Sequence, residues 1–459
     1  MVALVRADPP PPEDGEPDSP AYSEEFLALR FGGEYGDQAR YVAAWGKWLL
    51  YRDGCWREDH KLQVMTWARQ IVRAAAVEIE TMTNKSGKSL AAAKVVAAVV
   101  NLARADPRIQ ATADQWDADP WMLNTPGGVI DLRSGQAWQH DPSDHLSKIT
   151  AVAPAAFVPP DCAWLNCLST WCGGDADLIS FLQRAAGYSI TGMITEECFF
   201  FLYGLGSNGK SKFLEAITGC LGDYYESSSM ETFITQKYEQ HPADLAKLRG
   251  ARLVSATETE EGRRWAEAKI KAITGGDAIS ARFMRQDFFT FTPTLKLWIA
   301  GNHKPGLKNV DKAMRRRVNI VPFTVTIPEE ARDKNLSAKL RAEWPIVLRW
   351  MIDGCRDWQA GGLQPPAAVT SATDDYIEAE DTLGRWLEEC CTVHRSQAAS
   401  FADLWKSWKA WADAAGEYAG NKKRLGQHLT DRGFEPINMS GGARGYKGLS
   451  AIPTDQLDL

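Results

Sequence analysis

The sequence predicts an α/β core built on a parallel sheet. An α+β domain precedes it and a small domain of the winged-helix type follows. Three observations carry this. Four short apolar runs, at 198–203, 252–257, 295–300 and 318–323, read as strands buried on both faces, with helical stretches between some of them. A glycine-rich loop follows the first run and opens a helix. Past Pro365-Pro366 the pattern changes to helices, a basic helix and a Gly-rich end.

The chain of 459 residues is long enough for about three domains. Residues 1–20 are Pro-rich and acidic and read as a disordered tail. Residues 21–155 form the α+β domain. There Asp53-Gly54 between Trp48-Leu49-Leu50-Tyr51 and Cys55-Trp56 predicts a hairpin, while 62–77 and 90–105 have helical periodicity. Residues 156–362 form the core, entered through two helices within 163–188. Residues 370–459 form the last domain, with helices at 382–391, 401–415 and 421–432 and then a hairpin. Trp405, Trp408 and Trp411 share one helical side and read as core.

Composition excludes several classes. No apolar run approaches the ~18 residues of a membrane span, and residues 1–8 lack a signal-peptide core, so the expected location is cytoplasmic. Nine Cys do not suggest a disulfide framework. Cys162, Cys167 and Cys172 lack paired CxxC spacing and a His pair, so buried thiols are favoured over a metal site. The net charge is −7, but it is uneven. From 263 to 317 there are thirteen Lys/Arg against four Asp/Glu, or +9; from 394 to 447 there are nine against five, or +4. Basic charge gathered in this way is the footprint of a nucleic-acid partner.

Gly204-Leu205-Gly206-Ser207-Asn208-Gly209-Lys210-Ser211 matches the phosphate-loop pattern in its required place, after a buried strand and at the start of a helix. The residues at Gly204, Gly206, Ser207, Asn208 and Gly209 turn backbone N–H groups toward a β-phosphate. Lys210 reaches the β- and γ-phosphates, the Ser211 hydroxyl is a Mg²⁺ ligand, and the helix aims its positive end at the anion. ATP and Mg²⁺ are therefore the expected cofactors. Such a site needs an acid at the end of a neighbouring strand. Glu258 is the first candidate, holding Mg²⁺ through water, and Glu260 the second. Asn302, after the 295–300 strand, offers an amide to the γ-phosphate or the attacking water. Arg315-Arg316-Arg317 stands before the last strand, where an arginine can act in a neighbouring subunit's site.

These elements, in this order, resemble superfamily III helicases. The resemblance is closer to the phage and plasmid primase-helicase family that includes the poxvirus primase-helicase. It rests on Gly206 to Ser211, Thr274-Gly275-Gly276-Asp277 through Ala281-Arg282, Phe291-Thr292-Pro293-Thr294, Gly301-Asn302-His303-Lys304-Pro305 and Arg316-Arg317-Val318. Trp121 to Leu132 is similar to that family's amino-terminal domain. The resemblance implies a P-loop, AAA+-like ATPase core. It also implies a ring, usually a hexamer, with ATP sites between subunits, and translocation on single-stranded DNA, commonly 3′ to 5′. By position, Glu258 matches the metal-coordinating acid and Asn302 the sensor. Arg317 is the first candidate for the finger and Arg316 the second. The stretch 269–285 matches the pore hairpin region, so Lys269, Lys271, Arg282 and Arg285 are candidate DNA contacts. The acidic motif, Glu258-Thr259-Glu260-Glu261, departs from two adjacent acids.

A primase domain is not expected in this chain. Asp175-Ala176-Asp177 follows two glycines and reads as a helix cap rather than a metal pair, so a separate primase or polymerase is an expected partner. In the last domain, Lys422, Lys423, Arg424, Arg444 and Lys447 are candidates for duplex or origin DNA. The leading expectation is an ATP-driven replicative helicase of a phage, plasmid or integrated element, acting in a bacterial cytoplasm. An origin-binding or scaffold ATPase is the alternative. A small-molecule P-loop kinase is disfavoured by the long basic segment.

Overall fold

Asp53 and Gly54 both take positive φ, 51° and 74°, the backbone of a two-residue turn whose twist suits the strands it joins. The structure is a computed structural model describing residues 19–84, 86–236, 243–257, 263–284, 287–307, 312–439 and 442–452. It divides into two units, Met1–Asp131 with Gln136–Thr150, and Leu132–Gly135 with Ala151–Leu459. In the first unit the turn joins Lys47–Arg52 to Cys55–Glu58, with Arg52 opposite Cys55. Ala39–Val42 and Gln110–Ala111 complete a four-stranded sheet. Helices Glu24–Tyr35, Gln63–Thr83 and Ala93–Leu102 close a core around Phe31, Ile71, Val72 and Val99. Met122–Thr125 and Gly128–Asp131 form a second hairpin.

The second unit holds five parallel strands: β1 (Phe199–Tyr203), β2 (Tyr225–Ser227), β3 (Leu253–Thr257), β4 (Lys296–Gly301) and β5 (Val318–Pro322). Their order is β5-β1-β4-β3-β2. β2 is not among the runs visible in the sequence, because Tyr225-Glu226-Ser227 is short and polar. Side chains alternate between the two faces, as a strand dictates. Phe200 and Trp298 stack 4.4 Å apart and meet Phe181 and Phe213 on one face. Phe199, Phe201, Val254, Leu297 and Ile299 pack with Trp265 and Ile270 on the other.

Helix α1 (Ala176–Ser189) begins at the expected cap. The Asp175 carboxylate accepts from the Asp177 and Leu178 N–H groups, each at 3.0 Å. The chain beyond its carboxyl end is fastened to the sheet by two buried cations. Lys296 Nζ donates to the carbonyls of Thr191, Met193 and Thr294, and Arg252 Nη1 donates to the Ile190 carbonyl at 2.8 Å. Cations suit this negative end of a helix. Burial holds the Lys296 ammonium well below its ordinary pKa, and those carbonyls are what make such burial tolerable. Helix α2 (Lys210–Gly219) follows β1, and α3 (Trp344–Gly361) packs on α1. Helix α4 (Ala367–Glu380) lies beyond Pro365-Pro366 yet packs on β5, where Thr373 Oγ1 accepts from Ile320 N at 3.0 Å.

The last part runs helix Thr382–Cys390, strand Cys391–Ser400, helices Phe401–Ala414 and Lys422–Asp431, then strands Glu435–Asn438 and Arg444–Ala451. Arg444–Ala451 is the middle strand of an antiparallel sheet of three. The strand Cys391–Ser400 went unforeseen because most of its residues are polar and exposed. Trp408 and Trp411 are buried and stack 5.4 Å apart, and half-buried Trp405 packs against the same cluster.

Trp298 joins both halves of one face of the central sheet, and its Nε1 donates to Ser189 Oγ at 2.9 Å. Trp298→Ala is expected to lower the unfolding free energy by about 3–5 kcal/mol in a guanidinium titration. A loss under about 1 kcal/mol would contradict this packing.

Candidate functional site

Parallel order brings the carboxyl ends of β1, β4 and β3 to one sheet edge, where α/β proteins place their ligands. The Gly204–Ser211 loop leaves β1 at that edge. Gly209 precedes α2 with φ 88°, and a Cβ there would meet the Trp171 ring at 2.4 Å. A Cβ on Gly204 would lie 2.1 Å from Asn208 Nδ2 and 2.2 Å from the Phe323 carbonyl. Glycine is required at both positions by space, and at Gly209 also by backbone. Asn208 is buried and donates to the Phe323 carbonyl at 2.8 Å, which fixes the loop to the end of β5.

Lys210 is only 6% exposed. Its ammonium donates to the Gly204 carbonyl, to Asn208 Oδ1 at 3.1 Å and to Asn302 Oδ1 at 3.3 Å. Burial lowers its pKa below the usual lysine value. The loop and Asn302, 92 residues apart, therefore meet on one cation. Around them lies a cleft of about 320 Å³, lined by residues 206–212, Thr257 and residues 300–302. Gly206, Ser207, Asn208, Gly209, Lys210 and Ser211 all line it. Three neutral oxygens on a buried ammonium, beside open space, suit an anionic ligand that would displace some of them. The residues present fit a nucleotide's phosphates, and the Ser211 hydroxyl is placed in the cleft where a metal ligand is needed. Thr257, at the end of β3, lines the cleft, while Glu258 and Glu260 lie outside the described residues.

The arginines sit at the opposite, amino edge, where Phe199 N donates to the Arg317 carbonyl. β1 spans five residues, so roughly 13 Å separates the edges at ~3.3 Å per residue. Arg317 has a side chain only 8% exposed. It donates to Thr274 Oγ1 at 3.1 Å, the Ala313 carbonyl at 3.0 Å and Glu197 at 2.8 Å. Arg316 shares the same Glu197 oxygen at 2.7 Å, but its side chain is 63% exposed. Of the two finger candidates, Arg316 is the one that faces outward.

Ile279–Ala281 and Phe289–Phe291 pair as a hairpin whose first strand lies in the predicted stretch 269–285 and whose second lies just beyond it. Arg282 lies 4.8 Å over the Phe288 ring at its tip. Lys269 and Lys271 are half-buried on the preceding helix Glu267–Gly275, and burial lowers the pKa of Lys269. Arg285 lies outside the described residues. A reading centred on basic residues missed three exposed apolar side chains here: Phe283 (39%), Met284 (72%) and Phe288 (60%). A run of apolar residues at a hairpin tip was the available signal. In the last part, Lys422, Lys423, Arg444 and Lys447 are exposed and Arg424 half-buried. Cys162 and Cys172 are buried thiols, and burial pushes Cys172 up to about 12. No helix among the described residues is long and apolar enough to cross a membrane.

Residues 28–173 match a family model described as D5 N terminal like. Residues 202–317, which take in the loop, Asn302 and the arginines, match a family of unknown function, DUF5906. A protein of Acanthamoeba polyphaga mimivirus, named as a candidate helicase, is 25% identical over 344 residues. That alignment covers 69% of this chain and 35% of the relative. Another candidate helicase, from Frog virus 3 (isolate Goorha), is 24% identical over 270 residues, covering 54% of this chain and 27% of its own length. The chain thus spans about a third or less of these relatives. Among solved structures, the apo C-terminal region of NrS-1 superposes with a TM-score of 0.50 at 8% identity. It covers 93% of this chain and 99% of that one, a likeness of fold. By these matches the chain is similar to the D5 family of primase-helicases, through its D5-like amino-terminal segment and through relatives named as candidate helicases.

Proposed function

We propose that the chain is an ATP-driven, ring-forming DNA helicase that moves on single-stranded DNA, 3′ to 5′, during replication of a phage, plasmid or integrated element. One observation carries the reading: Lys210 joins the glycine-rich loop to Asn302 across an open cleft at the carboxyl edge. Bound there, ATP with Mg²⁺ supplies the phosphoanhydride that is cleaved. The loop's N–H groups hold its phosphates, Lys210 neutralises their charge, and Ser211 and Glu258 hold the metal. Asn302 orients the attacking water, with Glu258 or Glu260 polarising it.

The arginines at the far edge favour a site shared between copies, because none of the described residues at that edge lines the chain's own cleft. Head-to-tail contacts of this kind close into rings. Arg316 is the proposed finger, and Arg317 holds its backbone through Glu197 and Thr274. Hairpin residues Arg282 and Arg285, with Lys269 and Lys271 behind them, track the DNA backbone, and Phe283 and Phe288 offer ring faces to unstacked bases. The order helix, strand, helix, helix, strand, strand after 381 supports a winged helix for duplex DNA or a partner such as a primase.

Three outcomes are expected. Phosphate release by the full chain rises with single-stranded DNA and falls at least 100-fold in Lys210→Ala; no DNA stimulation together with no loss in the variant would sink the motor reading. Arg316→Ala keeps ATP binding but loses hydrolysis by about 10³-fold or more, and mixing it with Glu258→Gln protein restores part of it. Absence of restoration contradicts a finger acting between copies. In salt titrations of DNA binding, Arg282→Ala lowers the slope of log K against log salt by about 0.7. Phe288→Ala weakens binding by about 1–3 kcal/mol with the slope unchanged; a changed slope counts against stacking.

A further inference from the structure

The chain just past Asn302 is strapped on both sides. Lys304 Nζ lies 4.5 Å from the centre of the Tyr203 ring and 5.6 Å from that of Tyr376. Tyr203 is the last residue of β1, immediately before Gly204. Tyr376 belongs to α4 and is buried. Its hydroxyl donates to the Pro305 carbonyl and accepts from Trp265 Nε1 at 2.8 Å. Gly306 N donates to the Arg263 carbonyl at 2.7 Å, and Trp265 N donates to the Gly306 carbonyl at 3.0 Å. Leu307 N donates to Glu380 Oε2 at 2.8 Å, at the end of α4. The next residue, Asp381, accepts from Gly384 N and pairs with Arg432, the residue that ends the last helix.

We propose that Tyr376 is a positioning residue for ATP hydrolysis: it fixes the Lys304–Leu307 loop, and so the place of Asn302 against Lys210, and ties that place to the helices after 381. The inference rests on the ATPase reading above. Two residues, His303 and Lys304, separate Asn302 from Pro305, so a shift of the Pro305 carbonyl passes to Asn302 with little slack. Lys304 ties the same loop to the root of the phosphate loop through Tyr203. Burial lowers the Lys304 pKa, and the charges of Asp375 and Glu380 oppose that shift. The hydroxyl hub also reaches Trp265, four residues past the last acid of the Glu258–Glu261 motif in sequence. Phosphate loop, sensor residue and α4 therefore share one anchored loop, and a change at the cleft has a mechanical path to the carboxyl-terminal helices.

The test compares turnover number, ATP affinity and melting temperature in the full chain. Tyr376→Phe keeps the ring beside Lys304 and removes only the hydroxyl. It is expected to lower kcat at least tenfold while the Kd for ATP stays within threefold. Lys304→Met should give the same split, and Lys304→Arg should return kcat to within threefold of wild type. Thr373→Val, on the same helix and bonded to β5, serves as the structural control: it should lower the melting temperature and leave kcat within twofold. A Tyr376→Phe protein with kcat within twofold of wild type overturns the positioning role, as does a kcat loss that follows melting temperature equally in Tyr376→Phe and Thr373→Val. A wild-type protein that binds and hydrolyses no ATP overturns the functional reading itself, which separates the two failures.

Discussion

A buried ammonium must be surrounded by oxygens, and Lys210 meets that demand with groups from two chain segments 92 residues apart. The demand can be met only if β1 and β4 lie side by side and point the same way. Residues 200–203 do pair in parallel with residues 298–301. That pairing rests in turn on Phe200 and Trp298, stacked on one face, and on Phe201 and Ile299, packed on the other. The cations at the amino edge, Lys296 and Arg252, then seat the end of α1 against the same strands. The cleft, the loop and the place of Asn302 all follow from one alignment of two apolar strands.

The two sheet edges have different chemistry. The carboxyl edge offers N–H groups, a lysine and hydroxyls around an open cleft. The amino edge carries Arg315 and Arg316, exposed and held by Asp374 and Glu197. A molecule with these two edges suits repeated head-to-tail contact in which one copy's arginine completes the next copy's site. The proposed ring uses this polarity. In that proposed ring the straps at Tyr376 have a purpose, since a cleft completed from both sides would need Asn302 held to within a fraction of an ångström.

Much of this was legible in the sequence because it was local. The Asp53-Gly54 turn, the Asp175 cap and four of the five parallel strands have signals within a few residues, and the order of motifs pointed to the family. What escaped depended on distance or on burial. Tyr376 reads as an ordinary helical tyrosine, because its partners Pro305 and Trp265 are 71 and 111 residues away. The resemblance ranks Arg317 before Arg316 for the finger; only packing against Thr274 and Glu197 separates the buried guanidinium of Arg317 from the exposed one of Arg316. Lys296 opens β4 and Arg252 stands just before β3 as if they were exposed, and only the carbonyls of Ile190, Thr191, Met193 and Thr294 explain their burial. The strand Cys391–Ser400 buries only its ends, at Cys391 and Ala399, and is polar and exposed between them, so alternation could not reveal it.

The central claim is that one copy's Lys210 and Asn302 share a nucleotide with an arginine of the next copy. Cryo-electron microscopy of the full chain with a non-hydrolysable ATP analogue, Mg²⁺ and single-stranded DNA tests it most directly. The account predicts a closed ring, with the terminal phosphate bonded to Lys210 and Asn302 of one copy and to Arg316 of its neighbour, and with DNA against the 279–291 hairpins. Separate single copies, or a nucleotide bound away from the Gly204–Ser211 loop, would contradict it.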